Sequence, residues 1–239
     1  MKTILSVAQV IRADGTARTD CCVFIGDDGE IAEITRESEA ADSSRRVHSV
    51  LDRRDCTLLP LLADAHIHLG ISDGINESPE FHTVSVIDHQ LATYLRNGIG
   101  HVLSLGTDQQ WMVELSQERQ RVQVSGLATP FSAGCGFGAN GGWPPEMTVP
   151  ELRFRPTDEA TAKDQVRQLA KQGVRVVKLW VDDFKKKVPK VPVPIQRVVI
   201  EEAHRNGMKS SAHVFLSKMR AIWLRLALIC SRTRFETRW

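Results

Sequence analysis

A repeating alternation of strand-like and helix-like stretches is the feature that most constrains the fold of this chain. After Thr57, short apolar runs predict five strands: Leu58–Ala65, His101–Leu105, Val122–Ala128, Val174–Val181 and Lys209–Phe215. Helical patterns separate them at about Phe81–Asn97, Asp108–Gln120, Thr157–Gln172 and Pro194–Asn206. Strands that alternate with helices predict parallel βαβ units. We therefore predict an α/β fold, an incomplete (β/α)8 TIM barrel with about five of its eight βα units.

The first 56 residues have a different pattern. Short β-branched or apolar runs alternate with polar turns, and the predicted strands are Ile4–Ile11, Cys21–Ile25, Glu30–Ile34 and Val47–Leu51. Such pieces are typical of a small β-sandwich or half-sandwich. We expect three segments: this β-domain at 1–56, the partial barrel at 57–216, and a basic tail at 217–239.

The composition argues against several classes of protein. A formal net charge of +2 over 239 residues gives no reason to expect nucleic acid or a membrane surface as partner. The longest apolar runs fall short of the roughly 18 residues of a transmembrane helix. The N-terminus also lacks the cleavage site of a signal peptide, so we expect a cytoplasmic protein. The five cysteines include no Cys-x-x-Cys pair, which argues against a disulfide framework and a thiolate zinc site.

Two histidines close the apolar run that begins at Leu58. His66 and His68 are two positions apart, and alternation along a strand puts them on the same face. Two imidazoles on one face are suitable ligands for a borderline metal such as zinc. The alternative is that each is an ordinary polar histidine.

Lys178 and His213 are the other candidate ligands. Lys178 lies inside the apolar strand of GVRVVKLWVDD, where an ammonium group is costly to bury. Either its stem is buried and its amine reaches solvent, or burial deprotonates it and it carries a carbamate that ligates like a carboxylate. His213 is either a third imidazole ligand or a partly buried histidine bonded to the backbone. Asp182 and Asp183 follow the fourth strand as candidate helix caps or hydrogen-bond partners of the ligands.

These segments together resemble the amidohydrolase superfamily. TLLPLLADAHIHLG resembles its metal-binding first barrel strand, although Leu61 stands where that family usually has glycine. GVRVVKLWVDD and AHRNGMKSSAHVF resemble the fourth and fifth strands of the branch related to imidazolonepropionases and Xaa-Pro dipeptidases. The resemblance implies His66 and His68 on one metal ion, Lys178 as a carboxylated lysine that bridges two ions, and His213 on the second. One or two divalent ions are implied, with zinc as the expected metal.

The resemblance also implies an activity. Its members are metal-dependent hydrolases, and we expect a metal-bound hydroxide to attack a carbon–nitrogen bond other than an ordinary peptide bond. The substrate would be a small amide, cyclic amide or dipeptide-like molecule. The family further needs a histidine on its sixth strand and a general-base aspartate on its eighth. Neither has a counterpart here, so the catalytic residue is unassigned.

The resemblance stops at about Phe215, and the final residues are rich in arginine. One hypothesis is a reading-frame slip between about Phe215 and Met219; the other is a short protein whose tail forms an amphipathic helix. The alternative function is accordingly a truncated, catalytically inactive amidohydrolase fragment. A third is a binding module whose barrel another chain completes, such as a second copy in a homo-oligomer, because open strand edges favour pairing.

Overall fold

The protein is described by a computed structural model that covers residues 3–40, 49–144, 153–183, 185 and 187–214. It divides into two compact units, Met1–Leu61 and Leu62–Trp239. The division lies after the expected limit at residue 56, because Thr57 and Leu58 pair with Gln9 and Val10 and so belong to the first unit. The expected basic tail, 217–239, lies outside the described residues.

The N-terminal unit is a mixed four-stranded sheet. Its elements are β1 (Thr3–Ile11), β2 (Ala17–Ile25), β3 (Ile31–Arg36), the short helix α1 (Glu37–Ala40) and β4 (Ser49–Leu58). The strand order is β3-β2-β1-β4, with β1 antiparallel to β2 and parallel to β4. A small buried cluster of Val7, Val10, Cys21 and Val23 holds the sheet together. Among the described residues of this unit there is one sheet, which corresponds to the half-sandwich.

The second unit alternates parallel strands with helices, as predicted. Its elements are β5 (Leu62–Ile67), a 3-10 turn (Pro79–Phe81), α2 (Val84–Arg96), β6 (Ile99–Ser104), α3 (Gln110–Arg121), β7 (Thr129–Ser132), β8 (Gly136–Phe137), β9 (Arg153–Phe154), α4 (Glu159–Lys171), β10 (Val176–Trp180), α5 (Val193–Arg205) and β11 (Lys209–His213). They form two parallel sheets, of order β5-β6-β7 and β11-β10-β8-β9.

Local chemistry explains where the helices begin and end. The Thr83 hydroxyl accepts a hydrogen bond from the Val86 backbone at the start of α2, and Asp158 accepts one from Thr161 at the start of α4. These are ordinary N-caps. Gly98 and Gly207 follow the ends of α2 and α5 with φ of +80° and +72°, a conformation that glycine adopts without strain. Both glycine stops were predicted and are confirmed.

The prediction of the third barrel strand was wrong. Helix α3 continues to Arg121, and Val122–Ala128 forms the connection that follows it. The strand lies further on, as β7 and β8, inside a glycine- and proline-rich stretch. It is broken: β7 pairs with β6, whereas β8 pairs with β10. Each half of the strand therefore belongs to a different sheet.

Helices cover the outer faces of both sheets. One buried cluster joins β5 and β6 to α2 and α3, and a larger one joins β8 and β10 to α4 and α5. Each cluster removes apolar side chains from water, the main stabilising contribution to a fold of this kind. Among the helices of the described ranges, none is long and apolar enough to cross a membrane.

Candidate metal centre

His66 and His68 lie at the carboxyl end of β5, where a bulge between Asp64 and Ile67 includes His66. Asp64 pairs with Val102 and Ile67 with Ser104, so β5 has one residue more than β6 in this interval. After the bulge, Ile67 packs into the buried cluster beneath α2, and alternation directs His66 and His68 away from it. Their rings meet edge to face with centroids 5.6 Å apart. The predicted common face is confirmed.

Lys178 is wholly buried in the middle of β10, with 0% of its surface exposed. Its Nζ lies 2.9 Å from Nε2 of His66 and 5.8 Å from the centroid of the Trp180 ring. The account in which its amine reaches solvent is therefore wrong. Burial lowers the pKa of Lys178 to about 8, so the neutral amine that reacts with carbon dioxide is accessible near physiological pH.

His213 ends β11, the strand beside β10, where it pairs with Trp180. Burial and then the charge of Lys178 lower the pKa of His213, while Asp182 opposes them. Both charged groups therefore lie within electrostatic range of this imidazole. Asp182 is itself buried, close to a candidate ligand.

The helix-cap interpretation of the two aspartates is wrong. The N-cap of α5 is Pro192, well beyond them in the chain. Asp183 instead accepts a hydrogen bond from Lys190 Nζ at 2.9 Å.

All three imidazoles are in the protonation state that metal binding requires. Burial, followed by the charge of Lys178, lowers the pKa of His68 to about 4 and also lowers the pKa of His66. Each ring is therefore neutral at pH 7, which is the form that donates a lone pair to a metal.

The lysine is the common neighbour of these histidines. Within the described part of the chain, no three His, Cys, Asp or Glu side chains are gathered closely enough to hold an ion by themselves. Lys178 touches His66 and acts on His68 and His213 through its charge. An ammonium group is a donor only and cannot ligate. A carboxylated Lys178 would supply the missing oxygen donors, so the residues fit a divalent ion on that condition.

Several residues that support this site were missed in the sequence. Thr107 Oγ1 lies 3.4 Å from Nδ1 of His68. A Cβ atom on Gly106 would stand 2.7 Å from both Lys178 Cγ and the Trp180 ring, and a Cβ on Gly136 would collide with the same ring. Gly106 therefore allows Lys178 and Trp180 to pack close to the backbone. A glycine directly after a predicted strand was the available signal.

No family model and no curated protein matches the sequence of this chain. Solved structures do match it. A putative prolidase from Bifidobacterium longum aligns with 96% of this chain at 20% identity and a TM-score of 0.72. A Xaa-Pro dipeptidase aligns with 95% at 18% identity and a TM-score of 0.74. An amidohydrolase aligns with 97% at 17% identity and a TM-score of 0.69.

The aligned regions cover 52%, 60% and 59% of those three solved chains, respectively. The chain thus spans little more than half of the length of the structures it resembles. At these identities the likeness establishes the fold. The predicted fold class, a TIM barrel represented by part of its βα units, is confirmed.

Proposed function

We propose that this chain, which has the fold of the amidohydrolase superfamily, provides a divalent metal centre for the hydrolysis of a carbon–nitrogen bond other than an ordinary peptide bond. One observation carries the proposal: Lys178 Nζ lies 2.9 Å from His66 Nε2, although 112 positions separate the two residues. His68 and His213 lie within range of the same lysine. His66 and His213 occupy the carboxyl halves of parallel strands, which is where barrel enzymes assemble their active sites.

In such a centre, four residues of this chain would bind the metal and two others would hold these ligands in place. Neutral His66, His68 and His213 would donate ring nitrogens, and Lys178 would donate oxygens after carboxylation. One or two divalent ions would bind, and zinc is the expected metal. A bound ion supplies Lewis-acid chemistry and activates water near neutral pH. Thr107 would restrain the His68 ring, and the Trp180 ring would keep water from the aliphatic part of the Lys178 side chain.

The substrate is proposed to be a small molecule with an amide, cyclic amide or dipeptide-like bond. The names of the similar solved structures, a prolidase and a Xaa-Pro dipeptidase, support this class. We also propose a cytoplasmic location, which rests on the sequence.

The test is the metal content of the purified 239-residue chain, prepared with zinc and bicarbonate. We expect about one or two equivalents of zinc in the wild type and a large loss in His68→Ala. His89→Ala is the matched control, because it removes an exposed imidazole from α2. Equal zinc content in all three proteins would refute the proposal.

Two further measurements divide the proposal into its parts. Carbon-13 bicarbonate should give a carbamate resonance in the wild type that Lys178→Ala abolishes and Lys190→Ala retains. Hydrolysis of a panel of Xaa-Pro dipeptides and cyclic amides then tests activity. Zinc binding without any turnover would support the alternative, an inactive metal-binding fragment.

A further inference from the structure

A buried carboxylate with no part in the proposed chemistry lies at the carboxyl ends of β6 and β7. Asp108 follows β6 and is 1% exposed. Its two oxygens accept hydrogen bonds from Ser104 Oγ, at 2.6 Å, and from Ser132 Oγ. These serines are the last residues of β6 and β7. Burying a carboxylate is costly, so this arrangement calls for a reason.

The direction of every hydrogen bond in this cluster is determined. A carboxylate can only accept, so both serine hydroxyls donate to Asp108. Each serine oxygen in turn accepts from a backbone N–H: Ser104 from Leu69 at 3.1 Å, and Ser132 from Gly134 at 3.0 Å. The cluster therefore has two arms that meet at Asp108, one ending at Leu69 and the other at Gly134.

The first arm ends beside a candidate metal ligand. Leu69 directly follows His68, and on the other side the carbonyl of Ile67 accepts a hydrogen bond from the Leu105 N–H at 2.9 Å. The backbone of His68 is thus held on both sides by the end of β6. The ring of His68 also lies 3.4 Å from Thr107 Oγ1, and Thr107 adjoins Asp108 in the chain. Backbone and ring of His68 are both held by the Ser104–Asp108 segment.

We infer that Asp108 is a positioning residue for His68, acting through Ser104 and the backbone N–H of Leu69. The Asp108 carboxylate accepts the hydroxyl hydrogen of Ser104, so the Ser104 oxygen faces the N–H of Leu69. The resulting hydrogen bond fixes the position of the His68 backbone at the end of β5. The inference rests on the proposed function, because His68 is positioned there as a metal ligand. Groups that hold a ligand in this way commonly change metal affinity on the order of 10- to 100-fold when they are lost.

The second arm supplies a matched control. Ser104→Ala and Ser132→Ala each remove one hydroxyl from Asp108 and leave one backbone N–H without its acceptor. Both should destabilise the fold to a similar extent. Only the Ser104 arm leads to His68, so only that variant should disturb the metal ligand.

The experiment compares the wild type, Ser104→Ala, Ser132→Ala and Asp108→Asn in the full 239-residue chain. The first readout is the nitrogen-15 spectrum of the His68 ring in chelator-treated protein, assigned by its loss in His68→Ala. The second is the zinc dissociation constant measured by competition with a chelator. We expect Ser104→Ala and Asp108→Asn to shift the ring resonances and to weaken zinc binding about tenfold or more. Ser132→Ala should leave the spectrum unchanged and the affinity within about twofold, well below that range.

Each outcome decides the inference. Equal effects of the two serine variants would mean that Asp108 has only a structural role, and no effect of Ser104→Ala would also overturn it. If Ser104→Ala does not fold, Asp108→Asn compared with Ser132→Ala decides by the same criteria. If the wild type binds no zinc, the proposed function fails, and the His68 ring spectrum still tests the positioning role.

Discussion

At the scale of single residues, burial of polar groups characterises this site. Lys178 and Asp108 are both almost fully enclosed, one in contact with His66 and the other held by serines. Their burial has opposite effects on their pKa values, because it disfavours the charged form of each. Each change has a measurable consequence.

We expect Asp108 to make the stability of the protein depend on pH. Burial raises the pKa of Asp108 to about 6, against the hydrogen bonds from Ser104 and Ser132. Because the pKa is higher in the folded state, protonation of Asp108 favours folding. This contribution to the free energy of unfolding is complete below about pH 4, the pKa of the unfolded chain, and is lost as the pH rises through about 6. The loss is about 3 kcal/mol in unfolding free energy. Urea denaturation of the wild type and Asp108→Asn at pH 4 and pH 7 measures it, and a constant difference between the two proteins would contradict this prediction.

Gly106 should tolerate no side chain. Its φ of +87° and the proximity of Lys178 and Trp180 both oppose a Cβ atom. Gly126 has a φ of +84°, but no atom within 4 Å of its Cβ position. Gly126→Ala should therefore cost only the backbone strain, about 1–2 kcal/mol, whereas Gly106→Ala should cost about 1–3 kcal/mol more through overpacking. Urea denaturation measures both, and equal losses would show that the contact with Lys178 and Trp180 is unimportant.

At the scale of elements, sequence reasoning succeeded where local chemistry decides. The four long helices were predicted close to their observed positions, together with the glycine stops after α2 and α5. The N-caps Thr83 and Asp158 were not predicted. The common face of His66 and His68 followed from alternation. These features depend on residues within one or two turns of each other, which a single sequence displays directly.

Long-range pairing accounts for what the sequence did not reveal. Val122–Ala128 has the composition of a strand, yet the strand begins at Thr129 because that residue pairs with His101. Both accounts of Lys178 fitted the same apolar run. The burial of Lys178 and its contact with His66 exclude only the account in which the amine reaches solvent. The Asp108 cluster joins the ends of three strands, and its members Ser104, Asp108 and Ser132 belong to no motif in the sequence.

At the scale of the whole molecule, the two sheets of the second unit have open edges. One sheet ends at β5 and β7, and the other ends at β9 and β11, without a further described neighbour. Leu62 of β5 is 57% exposed and Phe131 of β7 is 39% exposed. Open edges with apolar side chains favour association between chains.

We therefore expect the purified chain to self-associate. Sedimentation at micromolar concentration should give a mass above the 26.7 kDa of one chain, and Phe131→Lys should lower it. Val122→Lys is the control, since Val122 is 63% exposed but lies outside the strands. A single 26.7 kDa species at all concentrations would contradict the expectation.

The break in the third barrel strand has a consequence for how the second unit would respond to zinc. His66 belongs to the sheet that contains β7, and His68 directly follows the same strand, β5. Lys178 and His213 belong to the sheet that contains β8. An ion bound by residues of both sheets would connect the two sheets at the break between β7 and β8. Folding and metal occupancy would then be linked by mass action. At low zinc concentration the two sheets would separate at this break before either sheet lost its own hydrogen bonds.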